Sequence, residues 1–247
     1  MEKLNPFSLE GKTILVTGAS SGIGRGIAIT CSKMGATIII NGRNKTKLND
    51  TLSMMAGEGH SVIIGDLTDS VTLMSLVASL TKLDGIVHCA GIGNRVLCKN
   101  IAETDIDQII GANFKAPVML QTEILKQKKI NKGASIVFIA SISYDSPSIG
   151  NALYAASKGA LISYASCLQL ELASRQIRVN CISPAMIWTD LIFKGGLTEE
   201  ELHEDEQKYP LKRYGTPEDV ANLVVYLLSD ASSWMAGSNI KITGGSK

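Results

Sequence analysis

Short apolar runs rich in β-branched residues recur along this 247-residue chain, separated by longer stretches with apolar residues at helical spacing. TILVTG is the first run, Ile23, Ile27, Cys31 and Met34 then follow at intervals of three and four, and ATIIIN is the second run. Strand, helix, strand is the reading this predicts. The alternation continues through SVIIGD, an amphipathic segment from Thr68 to Leu80, DGIVHCAG, a helical region from about Thr104 to Lys129, ASIVFIAS, a helix carrying Tyr154, IRVNCIS, a helix after Thr216-Pro217-Glu218 and a last strand, SNIKIT. Apolar strands joined by crossover helices call for a doubly wound α/β architecture, a parallel sheet with helices on both faces. No repeat or linker divides the chain, so residues 1–247 read as a single domain. Only about 190–214 breaks the rhythm, and its charged stretch EEELHEDEQK fits either a solvated helix face or a lid over a site.

Composition narrows the functions available. Lys+Arg 24 against Asp+Glu 23 leaves a net charge of +1. No basic stretch is interleaved with aromatics, which argues against nucleic acid as a partner. The N-terminus lacks an apolar leader and no apolar run is long enough to span a membrane, so a cytoplasmic protein with no membrane partner is expected. Five scattered cysteines without a C-x-x-C read as reduced packing residues, and the three histidines show no ligand spacing, so no metal is expected.

Ligands of a doubly wound sheet sit beyond the carboxyl ends of its strands, and here the first strand runs into TGASSGIGRG. Gly18, Gly22 and Gly24 have the spacing G-x-x-x-G-x-G, which differs from G-x-G-x-x-G. Glycines there let the turn close and bring backbone N–H groups to a pyrophosphate at the positive end of the next helix; a tight turn made for packing is the plainer alternative. After the second strand stands Arg43, a cation that suits the 2′-phosphate of NADP(H) where a carboxylate would suit NAD(H). Asp66, ending the third strand, either accepts from an adenine amino group or caps the following helix.

Tyr154 and Lys158 lie one helical turn apart in NALYAASKGA. Reducing a ketone builds negative charge on its oxygen, so a proton donor is needed within hydrogen-bond reach, and an ammonium beside a tyrosine is expected to lower its pKa from about 10. Ser141, at the end of ASIVFIAS, is placed to hold the same oxygen.

TGASSGIG, the strand ending His88-Cys89-Ala90-Gly91, Asn113, Ser141, Tyr154-x-x-x-Lys158 and Pro184 followed by Thr189 together resemble the short-chain dehydrogenase/reductase family, over about Leu9 to Gly245. The resemblance implies a Rossmann-type fold and an NADP-dependent oxidoreductase. It implies catalytic roles for Asn113, Ser141, Tyr154 and Lys158, with Asn113 supporting a water chain to the lysine. It also implies cofactor contacts from Ser20, Ser21 and Ile23 in the first turn, from Leu67 beside Asp66, from Ala90 and Gly91, and from Pro184. The Ile187 main chain and the Thr189 hydroxyl would bind the carboxamide.

Three departures stand out: His88-Cys89 replaces an Asn-Asn pair, with His88 expected to tie neighbouring strands instead; Ala185 replaces a glycine; and Thr243 replaces an aspartate near the C-terminus. YPLKRYGTPEDVANLVVYLLSD is most similar to family members that reduce 3-oxoacyl groups carried on acyl carrier protein. Such a carrier is expected to dock on Lys126, Lys128, Lys129 and Lys132 near the site entrance, whereas Leu170, where carrier-linked enzymes tend to have a basic residue, counts against it. Another small ketone, a sugar or a polyol is the alternative substrate, and a catalytically silent nucleotide-binding scaffold a third reading. The family resemblance also implies a homotetramer.

Overall fold

All seven expected runs form strands in the computed structural model, which describes residues 5–195 and 198–246. They are β1 (Thr13–Thr17), β2 (Thr37–Gly42), β3 (Ser61–Ile64), β4 (Leu83–His88), β5 (Ile130–Ile139), β6 (Arg178–Pro184) and β7 (Asn239–Ile242). They make one sheet in the order β3-β2-β1-β4-β5-β6-β7, with every pair parallel. The winding reverses between β1 and β4, and the crevice beyond their carboxyl ends is where such a sheet takes ligands. This is the Rossmann-type fold that the resemblance implies.

Eight α-helices connect the strands among the described residues: α1 (Gly22–Lys33), α2 (Lys45–Ser53), α3 (Ser70–Ser79), α4 (Glu103–Ile110), α5 (Ala116–Lys126), α6 (Ala152–Leu172), α7 (Glu199–Glu206) and α8 (Pro217–Leu228). One core layer packs the apolar faces of α1 and α8 on the sheet, around Ile14, Ile27, Ile38 and Val224. The other packs α3, α5 and α6 on the opposite face, around Leu76, Leu120, Phe138 and Leu161. No helix among the described residues is long and apolar enough to cross a membrane.

The long helix expected from Thr104 to Lys129 is instead two helices joined by a π-turn over Gly111–Lys115. Pro117 has no N–H and cannot give the α-helical bond to the Asn113 carbonyl four residues back, which loosens this turn. Strand β5 starts earlier than expected; its pairing with β4 is irregular between Leu83 and Gly85, and Gly133 takes a φ of +77° in the same stretch. The charged patch forms α7, begun by a reciprocal Thr198–Glu201 capping box and seated through the buried Leu202. Residues 196 and 197, which belong to the expected lid, lie outside the described residues.

Candidate active site

The turn between β1 and α1 is built so that only glycine fits where it matters. A Cβ on Gly18 would sit 2.8 Å from the Ala90 Cα, and one on Gly24 would sit 2.4 Å from the Gly18 carbonyl oxygen. Gly18 also has a φ of +68°, which a side chain disfavours. Ser21 stands at the N-cap of α1 without a side-chain capping bond, so the first N–H groups of a twelve-residue helix open into the cleft. Arg25 braces the turn from outside, donating to the Ser20 carbonyl at 2.7 Å and to the Thr51 hydroxyl at 3.0 Å. This cradle, closed to a Cβ and lined by helix N–H groups, fits a pyrophosphate.

Gly18, Ser20, Ser21, Gly22, Ile23, Gly24, Arg43, Asp66, Leu67, Ala90, Gly91, Ser141, Tyr154, Lys158, Pro184, Ile187 and Thr189 all line one open cleft at the carboxyl ends of the strands. Arg43 stands 3.5 Å from Asp66, and both are exposed. Burial by itself would raise the Asp66 pKa, but hydrogen bonds from the Thr68 N–H and hydroxyl, with the Arg43 charge, bring it below the ordinary carboxylate value. The cap of α3 is Asp69, which accepts from the Thr72 N–H at 2.8 Å, so Asp66 is free of that duty. At the far side, Thr189 meets the first turn, its Cγ2 lying 3.1 Å from where a Cβ on Gly22 would stand.

Around the tyrosine the contacts are buried and mostly involve main chain. Lys158 is 4% exposed and its Nζ donates to the Ile139 carbonyl at 2.8 Å, at the end of β5. It lies 5.8 Å from the Tyr154 ring centre. Burial pulls the lysine pKa down to about 8, opposed by the thiols of Cys89 and Cys181. Tyr154 is held above its ordinary value by burial, and a hydrogen bond with Ser141 only partly offsets this. This reverses the expectation that Lys158 lowers the tyrosine pKa, because desolvation of the phenolate is the larger effect. Ser141 is 9% exposed and its Oγ accepts from the Ser143 N–H at 3.2 Å.

Asn113 is fully buried beneath the cleft. Its Oδ1 accepts from the Ile92 N–H at 2.8 Å, and its Nδ2 donates to the Ile92 carbonyl at 2.9 Å and to the Ser157 hydroxyl at 3.1 Å. It thus clamps the chain after Gly91 to α6. The small residues around Tyr154 serve packing as much as access: Ser157 also donates to the Tyr154 carbonyl at 2.7 Å.

Several expectations need correction. His88 does not tie neighbouring strands; it turns into the α5 side of the core, 3.0 Å from Gln121 and stacked on Phe138, and burial pushes its pKa down to about 4. The strand tie is Thr17, whose hydroxyl accepts from the N–H groups of Cys89 and Ala90 at 3.0 and 3.1 Å. A polar residue ending a buried strand was the available signal. Most of the lysine cluster stands away from the site, and of the four only Lys126 bonds a described residue of the cleft wall, Glu123. Lys126, Lys128, Lys129 and Lys132 surround the start of β5, whose ten residues carry the chain about 30 Å to the end bearing Ser141. There Lys129 caps the carbonyls of Ala78 and Leu80, and Lys126 pairs with Glu123. Cys98 and Cys167 are exposed, so only part of the cysteine set serves packing. Leu170 is 80% exposed on α6.

Comparison with known proteins places these features in context. A family model described as enoyl-(acyl carrier protein) reductase, of the short-chain dehydrogenase/reductase group, matches residues 18–247. The 3-oxoacyl-(acyl-carrier-protein) reductase of Rickettsia felis is 38% identical over 239 residues, covering 97% of this chain and 98% of its own. The L-xylulose reductase of Caenorhabditis elegans is 30% identical over 244 residues, with 97% of each chain covered. Among solved structures, a protein of Beutenbergia cavernae described as an NAD(P)-dependent gluconate 5-dehydrogenase, with NADP bound at low occupancy, superposes with a TM-score of 0.86 at 30% identity over 98% of both chains.

Proposed function

The chain belongs to the short-chain dehydrogenase/reductase family of oxidoreductases, and from that premise we propose that it is an NADPH-dependent carbonyl reductase whose substrate is a 3-oxoacyl thioester. The observation that carries the chemistry is the conjunction of Ser141, Tyr154 and Lys158 at the carboxyl end of β5, opposite a glycine cradle in the same cleft.

The residues divide the work as follows. Gly18, Gly24 and the first N–H groups of α1 hold the pyrophosphate. Arg43 takes the 2′-phosphate, with Asp66 on the adenine side. The Ile187–Thr189 segment holds the carboxamide end. The chemistry supplied by a bound reduced nicotinamide is hydride donation to the carbonyl carbon. Tyr154 gives its phenolic proton to the carbonyl oxygen as negative charge builds there, and Ser141 donates a hydrogen bond to the same oxygen. Burial raises the Tyr154 pKa, so the phenol reaches the reaction carrying its proton and gives it up only as charge develops on the substrate oxygen. Lys158, fixed by the Ile139 carbonyl, stabilises the phenolate left behind, and Asn113 holds the floor against α6.

The 38% identity to a 3-oxoacyl reductase supports a 3-oxoacyl substrate. A second reading, a small polyol or sugar ketone, is favoured by Lys128, Lys129 and Lys132 standing at the start of β5, away from Ser141, and by the xylulose and gluconate enzymes among the relatives. NADPH consumption with a 3-oxoacyl carrier protein, its N-acetylcysteamine mimic and a panel of keto-sugars separates them. The 3-oxoacyl reading expects the thioesters to outpace every keto-sugar; a keto-sugar with the higher kcat/KM overturns it. No turnover of any ketone, together with tight NADPH binding, would favour a silent scaffold.

A further inference from the structure

Trp188 stands between Ile187 and Thr189, in the segment read above as holding the nicotinamide end. Its backbone N–H donates to the Gly215 carbonyl at 2.9 Å, and the Gly215 N–H donates to Met186 at 3.0 Å. Its indole leaves this short ladder and reaches the α7 segment. The Nε1–H donates to the Glu206 carboxylate at 2.9 Å, and the ring lies 4.9 Å from His203, 5.4 Å from Tyr214 and 6.3 Å from Phe193.

Glu206 is the hub. Its side chain is 12% exposed; one oxygen accepts from the Trp188 indole and from the Tyr214 N–H at 3.3 Å, and the other bonds His203 Nδ1 at 2.9 Å. Three contacts on a nearly buried carboxylate give it one orientation, and removing it leaves an indole N–H and a backbone N–H without a partner. Asp205, next along α7, accepts from the Tyr214 hydroxyl at 2.6 Å, so two adjacent carboxylates fasten this helix to residues 188 and 214. Met186, Asp190, Leu191, Ile192 and Tyr209, from the same stretch, line the cleft itself.

We propose that Glu206 is a positioning residue for the cofactor: through the Trp188 indole it fixes the Ile187–Thr189 main chain, so that α7 and the nicotinamide-holding segment move as one unit. The proposal rests on the reading of that segment given above. Its energetic basis is preorganisation, since a segment already held in its bound geometry loses less freedom on binding.

The hub carries its own reporter. His203 is exposed; its bond to Glu206 leads the contacts that raise its pKa, with the charges of Glu199 and Glu200 adding to it. Those carboxylates are on its own helix. The segments packed against its ring through Trp188 contribute Phe193, which does not titrate, and Tyr214, whose hydroxyl is held by Asp205. A protonated imidazole beside an indole quenches its fluorescence. The chain has two tryptophans and the other, Trp234, is 99% exposed, so a Trp234→Phe parent reports on Trp188 alone.

The experiment measures Trp188 emission from pH 5 to 9, the NADPH dissociation constant and kcat with a ketone substrate in that parent and in its E206Q, E206A and W188F derivatives. The parent is expected to show one emission inflection above pH 6.5, and E206Q to shift it downward while keeping NADPH affinity within about threefold. E206A is expected to red-shift the emission and weaken NADPH binding about tenfold, with kcat at saturation changed less than threefold. If E206A does not fold, W188F, which keeps a ring and loses only the donor and some area, is expected to weaken binding about threefold. Unchanged NADPH affinity in E206A and W188F overturns the positioning role, whether or not the emission moves. A parent that binds no NADPH overturns the cofactor reading itself, whereas Trp188 emission unmoved in E206A overturns the link to α7 alone.

Discussion

The floor of the cleft and the wall formed by residues 186–215 are held by different chemistry. On the floor, buried side chains bond to main chain: Asn113 to both polar groups of Ile92, Lys158 to the Ile139 carbonyl, and Thr17 to the N–H groups of Cys89 and Ala90. On the wall, side chains bond largely to one another, from the buried Tyr214 out to exposed charges: Glu206 to Trp188 and His203, Asp205 to Tyr214, Arg213 to Asp219. Main-chain anchors at strand ends are as rigid as the sheet, so the floor fixes the reacting geometry. The Glu206–Trp188 link is shielded and holds residues 187–189, whereas the exposed Arg213–Asp219 pair is weaker and responds to salt and pH, so the wall is adjustable only at its rim.

That contrast is open to measurement, beginning with the floor. Tyr154→Phe removes only a hydroxyl and is expected to lower kcat about a thousandfold while NADPH binding stays within a few-fold, as the proposed proton donor requires; stopped-flow turnover alongside NADPH titration checks it. Asn113→Ala leaves the Ile92 N–H and carbonyl without their partner and takes one donor from the Ser157 hydroxyl, and should cost about 3 kcal/mol, lowering Tm by ~6–12 °C. An equal loss from a wall variant such as Arg213→Ala would erase the distinction, since its exposed ion pair is expected to be worth little. Activity should fall about tenfold per pH unit as pH rises through about 8, where Lys158 loses its charge. Stability should move the other way. The folded lysine gives up its proton near pH 8 and the unfolded one near 10.5, so between those values the unfolded state binds more protons and the folded state gains stability as pH rises. The smallest effect is Arg43→Asp, expected to shift the kcat/KM ratio from NADPH toward NADH about tenfold; an unchanged ratio would remove Arg43 from the 2′-phosphate site.

The floor was also the legible half. Its residues end apolar strands or sit in a glycine turn, and local pattern marks both. The resemblance marks Asn113, but the π-turn that seats it depends on Pro117 and on Ile92, 21 residues away, which no periodicity reveals. Helix α2 left no signal of its own, because KTKLNDTLS buries only Leu48 and Thr51. Lys128, Lys129 and Lys132 fall away from the site because residues just before a strand sit at the opposite end of the sheet from residues just after it. The direction of the Tyr154 pKa is not legible in the sequence, because spacing shows the lysine and hides the burial. On the wall, Trp188 and Glu206 stand 18 residues apart, and only the fold makes them partners.

The central claim is that Tyr154 and its neighbours guide a hydride from NADPH to a ketone carbon. The direct measurement incubates the protein with NADPH deuterated at the transferable C4 position and the N-acetylcysteamine thioester of 3-oxobutanoate, and weighs the product. Wild type is predicted to yield the 3-hydroxy thioester carrying one deuterium at C3, and Tyr154→Phe to yield almost none. Product without deuterium, or equal labelling by both proteins, would contradict the account.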